Sequence, residues 1–381
     1  MVKALFAVDQ RYRLYLFVSR TIRECLMAVT FAEIVERTGS IPLSWAGSTL
    51  QMNYLNFGDA LSPVMVSLLA GKPVHRVPTK SLTPRMAAVG TIGHGFSGGD
   101  VWFWGTGCSN WRNPGKPEAE REPFVPSADS RFHVNATRGP VSERLLGGGS
   151  GGTGIYGDPV WLLPRFYDRP VAKKWKIGAV LHLSELANRE MDAKPLPELE
   201  RYLIPDELRD DVHLITTVAP VSIDGLRDKV DEIRACERIV STSLHGMVIA
   251  ESYGIPCLYF SPSGRTPGVD VFDLDADPTL DLRLIDLYRG LGRSRLCVYV
   301  QPRKEATDWP ALMRAIDASW DPIDLQDADA LVAALPLEVA PLSAQPGETI
   351  WEHPLLRSLV LQHDVAQLRR DDKAAALRLS A

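Results

Sequence analysis

The sequence predicts an α/β protein of two consecutive Rossmann-type halves facing a cleft, and three observations predict it. Short apolar runs empty repeatedly into glycine-rich loops: residues 87–92 lead into 93–100, and 101–104 into 105–110. Strands of this kind suggest a parallel sheet with ligands at the strand ends. The pattern restarts at Ile177 after a stretch at 165–176 carrying Pro170 and several charges, which reads as an interdomain linker. Residues 239–260 then read as the end of a strand, a tight turn, a short helix and a second strand.

That last stretch organises the chain. Ser241, Thr242 and Ser243 offer oxygens where a helix needs an N-cap, and Gly254-Ile-Pro256 stops the helix. His245 falls at or near the helix start, where free N–H groups favour anions. A histidine that merely caps the turn fits the pattern equally.

Composition bounds the rest. A chain of 381 residues is long enough for two cores, and 45% hydrophobic with 23% charged residues is ordinary globular composition. A net charge of −5 argues against a general nucleic-acid binder. Cys25, Cys108, Cys236, Cys257 and Cys297 are scattered without metal-ligand spacing, so buried free thiols and no metal site are expected. The start shows no convincing secretory signal, and no apolar run reaches the ~20 residues a membrane span needs. A cytoplasmic location is expected, with the inner face of the membrane, peripheral membrane association and a homo-oligomer left open.

In order, the expected units are an N-terminal helical extension (1–40), a Rossmann-like half (41–168), a second one (169–320) and a helical tail (321–381). Residues 12–36 look amphipathic, which fits an extra helix on the first half better than a membrane-surface helix. Ile41-Pro-Leu-Ser-Trp45 is an opening strand, 53–59 a loop and 60–69 a helix that Asp59 can cap; capping alone would explain Asp59. Residues 132–137 are a strand, Arg138-Gly-Pro140 a turn and 141–146 a helix, while 147–154 is glycine-dense. The second half offers strands at 177–182 and 212–217, a helix at 223–235, then the organising stretch. Helices at 282–290, 309–319, 328–335 (with Asp324 and Asp327 as caps) and 355–370 follow, with a strand at 297–300. The loops match neither a Walker nor a dinucleotide fingerprint.

Asn56-Phe-Gly-Asp59, Arg138-Gly-Pro-Val-Ser142, Gly157-Asp-Pro159, Ile177-Gly-Ala-Val-Leu-His182 and Ser243-Leu-His-Gly246 occur in the order seen in polysaccharide pyruvyl transferases. From about Ile41 to beyond Phe260 the chain resembles that family. The resemblance implies a GT-B-like fold and transfer of pyruvyl from phosphoenolpyruvate to sugar hydroxyls of a surface polysaccharide or its lipid-linked precursor, forming a ketal. It implies no cofactor. It also implies His245 as general acid or phosphate partner, Arg138 as ligand of the donor anions, and Ser243 and Gly246 in the donor-binding motif. Asp59 is assigned to the catalytic set, with Asn56 and His182 as further cleft residues; a satisfied histidine at a strand end is an equal reading of His182. Many relatives carry arginine where this chain has Ser243, and Arg265 is near enough in sequence to substitute. Two other functions remain compatible: a nucleotide-sugar glycosyltransferase on the same architecture, and a catalytically silent carbohydrate-binding relative.

Overall fold

The computed structural model describes residues 30–147, 152–277, 279–323 and 328–379. Cys25, most of the amphipathic stretch 12–36, the centre of the glycine-dense loop and the expected caps Asp324 and Asp327 lie outside the described residues.

The first described element is helix α1 (Phe31–Thr38), closed at its start by reciprocal bonds between Thr30 and Glu33. Strands β1 (Ile41–Ser44), β2 (Ser48–Thr49) and β3 (Leu55–Asn56) lead into helix α2 (Phe57–Ala70). Strands β4 (Val74–Arg76), β5 (Arg85–Ala87), β6 (Gly99–Phe103) and β7 (Ser130–Val134) and helix α3 (Pro140–Gly147) complete the first half. Its sheet runs β4-β1-β5-β6-β7 with every pairing parallel. The order reverses direction between β1 and β5, and the crevice outside the strand ends at such a point is where open α/β sheets bind ligands.

The second half repeats the plan. It comprises β8 (Ile177–Leu181), β9 (Val212–Thr216), β10 (Val218–Ala219), α4 (Ile223–Arg234), β11 (Ile239–Ser241), α5 (Leu244–Ser252), β12 (Cys257–Ser261), β13 (Gly268–Asp273), α6 (Leu282–Gly290), β14 (Arg295–Val300) and α7 (Trp309–Ser319). Its sheet runs β13-β14-β12-β11-β8-β9, parallel except for the antiparallel edge strand β13. The direction reverses between β8 and β11, which places His182 and Thr242 at the second switch point.

The sheets are separate, but the halves are knitted together. Every residue of α2 except Asp59 is buried. A 3₁₀ turn at Pro159–Arg165 packs against both α2 and α5, and α2 also meets α4. One apolar core runs through these helices from both halves. A short antiparallel ladder of β10 with β3 adds a backbone tie. Instead of hanging free, the stretch before β8 is held to the second half: Lys173 Nζ donates to the carbonyls of Arg234 and Cys236.

The tail, α8 (Ala328–Ala333), α9 (Pro354–Arg357), β15 (Gln362–His363) and α10 (Val365–Leu379), returns to the first half. Trp104 Nε1 donates to the Leu331 carbonyl at 2.7 Å, and Ala340 and Leu342 donate to carbonyls at the end of α2. Two expectations are corrected here. The single helix over 355–370 is broken, because Gln362–His363 pairs with Ser48–Thr49 and Gln362 Nε2 donates to the Thr49 and Met52 carbonyls. The helix expected from residue 60 starts at Phe57, whose N–H is taken by the Thr217 carbonyl, so Asn56 and not Asp59 is its N-cap residue.

Candidate active site

That earlier start decides the site. Asp59 stands in the first turn of α2 and accepts a hydrogen bond from Asn56 Nδ2 at 2.7 Å. It caps nothing. Protein atoms crowd its carboxyl and push its pKa up by desolvation, against the opposing charges of His245 and Arg283. Neither α2 nor α5 has a side chain bonded to its N-terminal amides, although Asn56 and Ser243 occupy the cap positions. Ser243 instead has its own N–H taken by Ser241 Oγ at 2.9 Å. Two helix starts without side-chain caps therefore meet near Asp59 and His245, an arrangement suited to anions.

His245 is the second residue of α5 and is buried. Its ring lies against the first turn of α2 at Gly58, where an added Cβ would fall 2.2 Å from Nδ1. Only glycine lets the two helices approach so closely. Nε2 faces Asp158 Oδ2 at 3.5 Å, and neither atom has a hydrogen-bond partner. Asp158 is fixed by its other oxygen, Oδ1, which accepts from Val160 N at the start of the 3₁₀ turn. The Asp158 carboxyl is thus the nearest acidic group to the His245 ring nitrogen.

Arg138, 1% exposed, follows β7. Its Nη1 donates to Thr91 Oγ1 at 2.6 Å and its Nη2 lies 3.3 Å from Asp286 Oδ2. Asp286 on α6 also accepts from the Val141 and Ser142 amides, so it caps α3 while neutralising the arginine. Arg138 Nε and Nη2 have no hydrogen-bond partner. Thr91 connects this group with Asp59, because a side chain on the neighbouring Gly90 would meet Asp59 Oδ1 at 3.0 Å.

His182 ends β8. Its backbone N–H donates to Thr242 Oγ1, and its Nε2 takes a hydrogen from Arg283 Nη1 at 3.1 Å. Guanidinium has only donors, so this contact uses the lone pair of Nε2, while the Ser184 N–H, 3.2 Å from Nδ1, competes for a bare nitrogen on the other side of the ring. Burial, and next the charge of Arg283, lower the His182 pKa to about 4. It is a neutral imidazole at neutral pH. Thr242 Oγ1 in turn donates to Glu185, which also accepts from Tyr202.

The structure thus gathers Asn56, Asp59, Arg138, His182, Ser243 and His245 from both halves. Gly246 has a different place: a Cβ there would lie 2.4 Å from Ser241 Oγ and 2.9 Å from Val180, so this glycine lets α5 press onto its sheet. Arg265 is exposed on the loop after β12, and among the described residues no hydrogen bond or ion pair joins it to Ser243, His245 or Arg138. Sequence reasoning missed Arg283, Asp281, Asp286 and Thr91, and it quoted Asp158 without a role. The Asp158-Pro159 pair was a usable signal, since proline after a capping residue marks a helical start. Asp281 and Arg283 show no such mark beyond a helix beginning.

Among the described residues no group of three His, Cys, Asp or Glu could hold a metal ion, and no helix is long and apolar enough to cross a membrane. Two doubly wound sheets, with buried Arg138 and His245 contributed from different halves, define the α/β class of the protein. Residues 92–264, a little under half of the chain, match the family model described as polysaccharide pyruvyl transferase. That stretch contains Arg138, Asp158, His182, Ser243 and His245, starts after Asp59 and ends just before Arg265. No curated protein and no solved structure matches the chain.

Proposed function

We propose that the protein is a pyruvyl transferase that moves the pyruvyl group of phosphoenolpyruvate onto sugar hydroxyls of a polysaccharide or its precursor, on a GT-B-like pair of domains. The observation that carries this reading is the His245–Asp158 pair, set at the meeting of two helix N-termini within the family segment. A donor bearing both a phosphate and a carboxylate needs several cationic or N–H ligands, and Arg138 and the two helix starts supply them. Protonated His245 delivers its proton to C3 of the enol, making C2 electrophilic. A sugar hydroxyl attacks C2 and gives its proton to Asp59. Phosphate leaves C2, and a second hydroxyl closes the ketal while losing its own proton. Two hydroxyl protons are released; one balances the proton gained at C3 and the other leaves with phosphate. Asp59 suits the base role because its crowded carboxyl holds a proton more readily than an exposed one. The acceptor is a saccharide, free or lipid-linked, and the scheme uses no cofactor.

The test is phosphate release from phosphoenolpyruvate in the presence of saccharide acceptor. Release that depends on acceptor supports the reading. Release of a nucleoside diphosphate from a sugar nucleotide instead would make the protein a glycosyltransferase, and saccharide binding with no turnover would make it a silent relative.

A further inference from the structure

Arg283 is held at three points. Asp281, the N-cap of α6, takes Nε at 3.0 Å and Nη2 at 2.6 Å, and His182 Nε2 takes Nη1 at 3.1 Å. A guanidinium carries five N–H groups, so one remains on Nη1 and one on Nη2. The Arg283 side chain is 29% exposed. Its charge reaches the Asp59 carboxylate in the first turn of α2. The loop cation that sequence suggested, Arg265, has no contact there.

We infer that Arg283 is a ligand for the bound oxyanion, presented from α6, with Asp281 and His182 as its positioning residues. Asp281 grips one edge of the fork and leaves the other for a phosphate or carboxylate oxygen pair, the geometry at which arginine surpasses lysine. His182 serves by staying neutral: a protonated ring would have no lone pair for Nη1 and would repel the guanidinium. The identity of the anion as phosphoenolpyruvate rests on the proposed function; its negative charge does not.

Inorganic phosphate is therefore the first probe. Calorimetric titration of the full chain with phosphate should show at least a tenfold weaker affinity in Arg283→Gln, as expected for losing a charge-assisted contact. Arg283→Lys should fall between, and Arg265→Gln should match the wild type. Asp281→Asn keeps the guanidinium but loosens its grip, so it should bind phosphate more weakly than wild type and more tightly than Arg283→Gln, and it can be titrated even where Arg283→Gln is too unstable. Phosphate bound by Asp281→Asn as tightly as by the wild type would remove Asp281 as a positioning residue. In turnover, Arg283→Gln should raise the KM for phosphoenolpyruvate and leave the acceptor KM unchanged. Phosphate bound equally by wild type and Arg283→Gln, or not at all by the wild type at millimolar concentration, overturns the assignment. Phosphate binding that depends on Arg283 in a protein that ignores phosphoenolpyruvate would instead overturn the proposed function and leave Arg283 standing.

Discussion

His245 lies so close to Gly58 that a methyl group on the glycine would overlap its Nδ1, at 2.2 Å. The two residues belong to helices from different halves of the chain, and this contact sets where the imidazole stands. Gly58→Ala should therefore displace the ring while leaving α2 helical, since alanine is the better helix former. A misplacement of this size is expected to cost about 100-fold in turnover. Circular dichroism beside an activity assay checks it, and a Gly58→Ala protein within threefold of wild-type turnover would separate the contact from catalysis.

Removing the ring itself should be harsher. His245→Ala is expected to lower turnover by about 10²–10⁴-fold, the usual contribution of a general acid. Because His245 is buried against Asp158, the same change also leaves a buried carboxylate without its partner, so the melting temperature should drop as well. Adding Asp158→Asn, which can still cap the 3₁₀ turn, should recover part of that loss without recovering activity. A double-mutant cycle with purely additive melting shifts would show that the two residues do not interact.

Arg138→Lys preserves a charge but cannot reach Thr91 and Asp286 together. We expect the KM for phosphoenolpyruvate to rise far more than that for the acceptor, and stability to fall by about 1.5–3 kcal/mol, the size of a hydrogen bond to a charged group. Should the acceptor KM rise instead, Arg138 belongs to the saccharide side.

Glu251, at the far end of α5 from His245, sets a pH dependence. It lines a pocket of about 230 Å³ with Tyr288 and Trp320, and burial raises its pKa to about 7 from the usual 4.5. Between those values the folded protein holds a proton that the unfolded chain releases. Stability contributed by Glu251 is therefore complete below about 4.5, falls as pH rises to about 7 and is level above. His182, held at about 4 against an ordinary 6.5, acts in the opposite sense and favours the fold as pH rises through that window. Glu251→Gln cannot ionise, so the melting temperature of this variant should gain on the wild type steadily between pH 5 and pH 7. Parallel melting curves across that range would remove Glu251 as the cause.

The β-branched and apolar runs made both sheets legible in the sequence, because a parallel strand buried on two faces has little room for polar residues. The position of His245 at the head of a helix was legible too, through the serines before it and Gly254 after it. Asp59 was misread as a cap because a carboxylate before an apolar run is the ordinary capping pattern. What moved the helix start to Phe57 was a long-range bond to the Thr217 carbonyl, which no local pattern carries. Arg283 was hidden for the same reason: its partner His182 lies about 100 residues away in the chain, and only the meeting of β8 with α6 joins them. Arg265 looked suitable by nearness in sequence, yet the loop after β12 leaves it in solvent.

The proposed mechanism requires a proton to reach C3 of the enol on the way to a ketal, and the reaction run in D₂O reads that proton. Phosphoenolpyruvate and a saccharide acceptor are incubated with the protein in D₂O, and the product is read by proton and carbon NMR. The ketal methyl group should carry one solvent deuterium, because His245 exchanges its proton with the solvent before delivering it. An intact enolpyruvyl group moved by displacement of phosphate would give a vinyl ether with its CH₂ and no methyl. A product with that vinylic CH₂, or with no pyruvyl carbon at all, would rule out protonation of C3 by His245 on the way to a ketal.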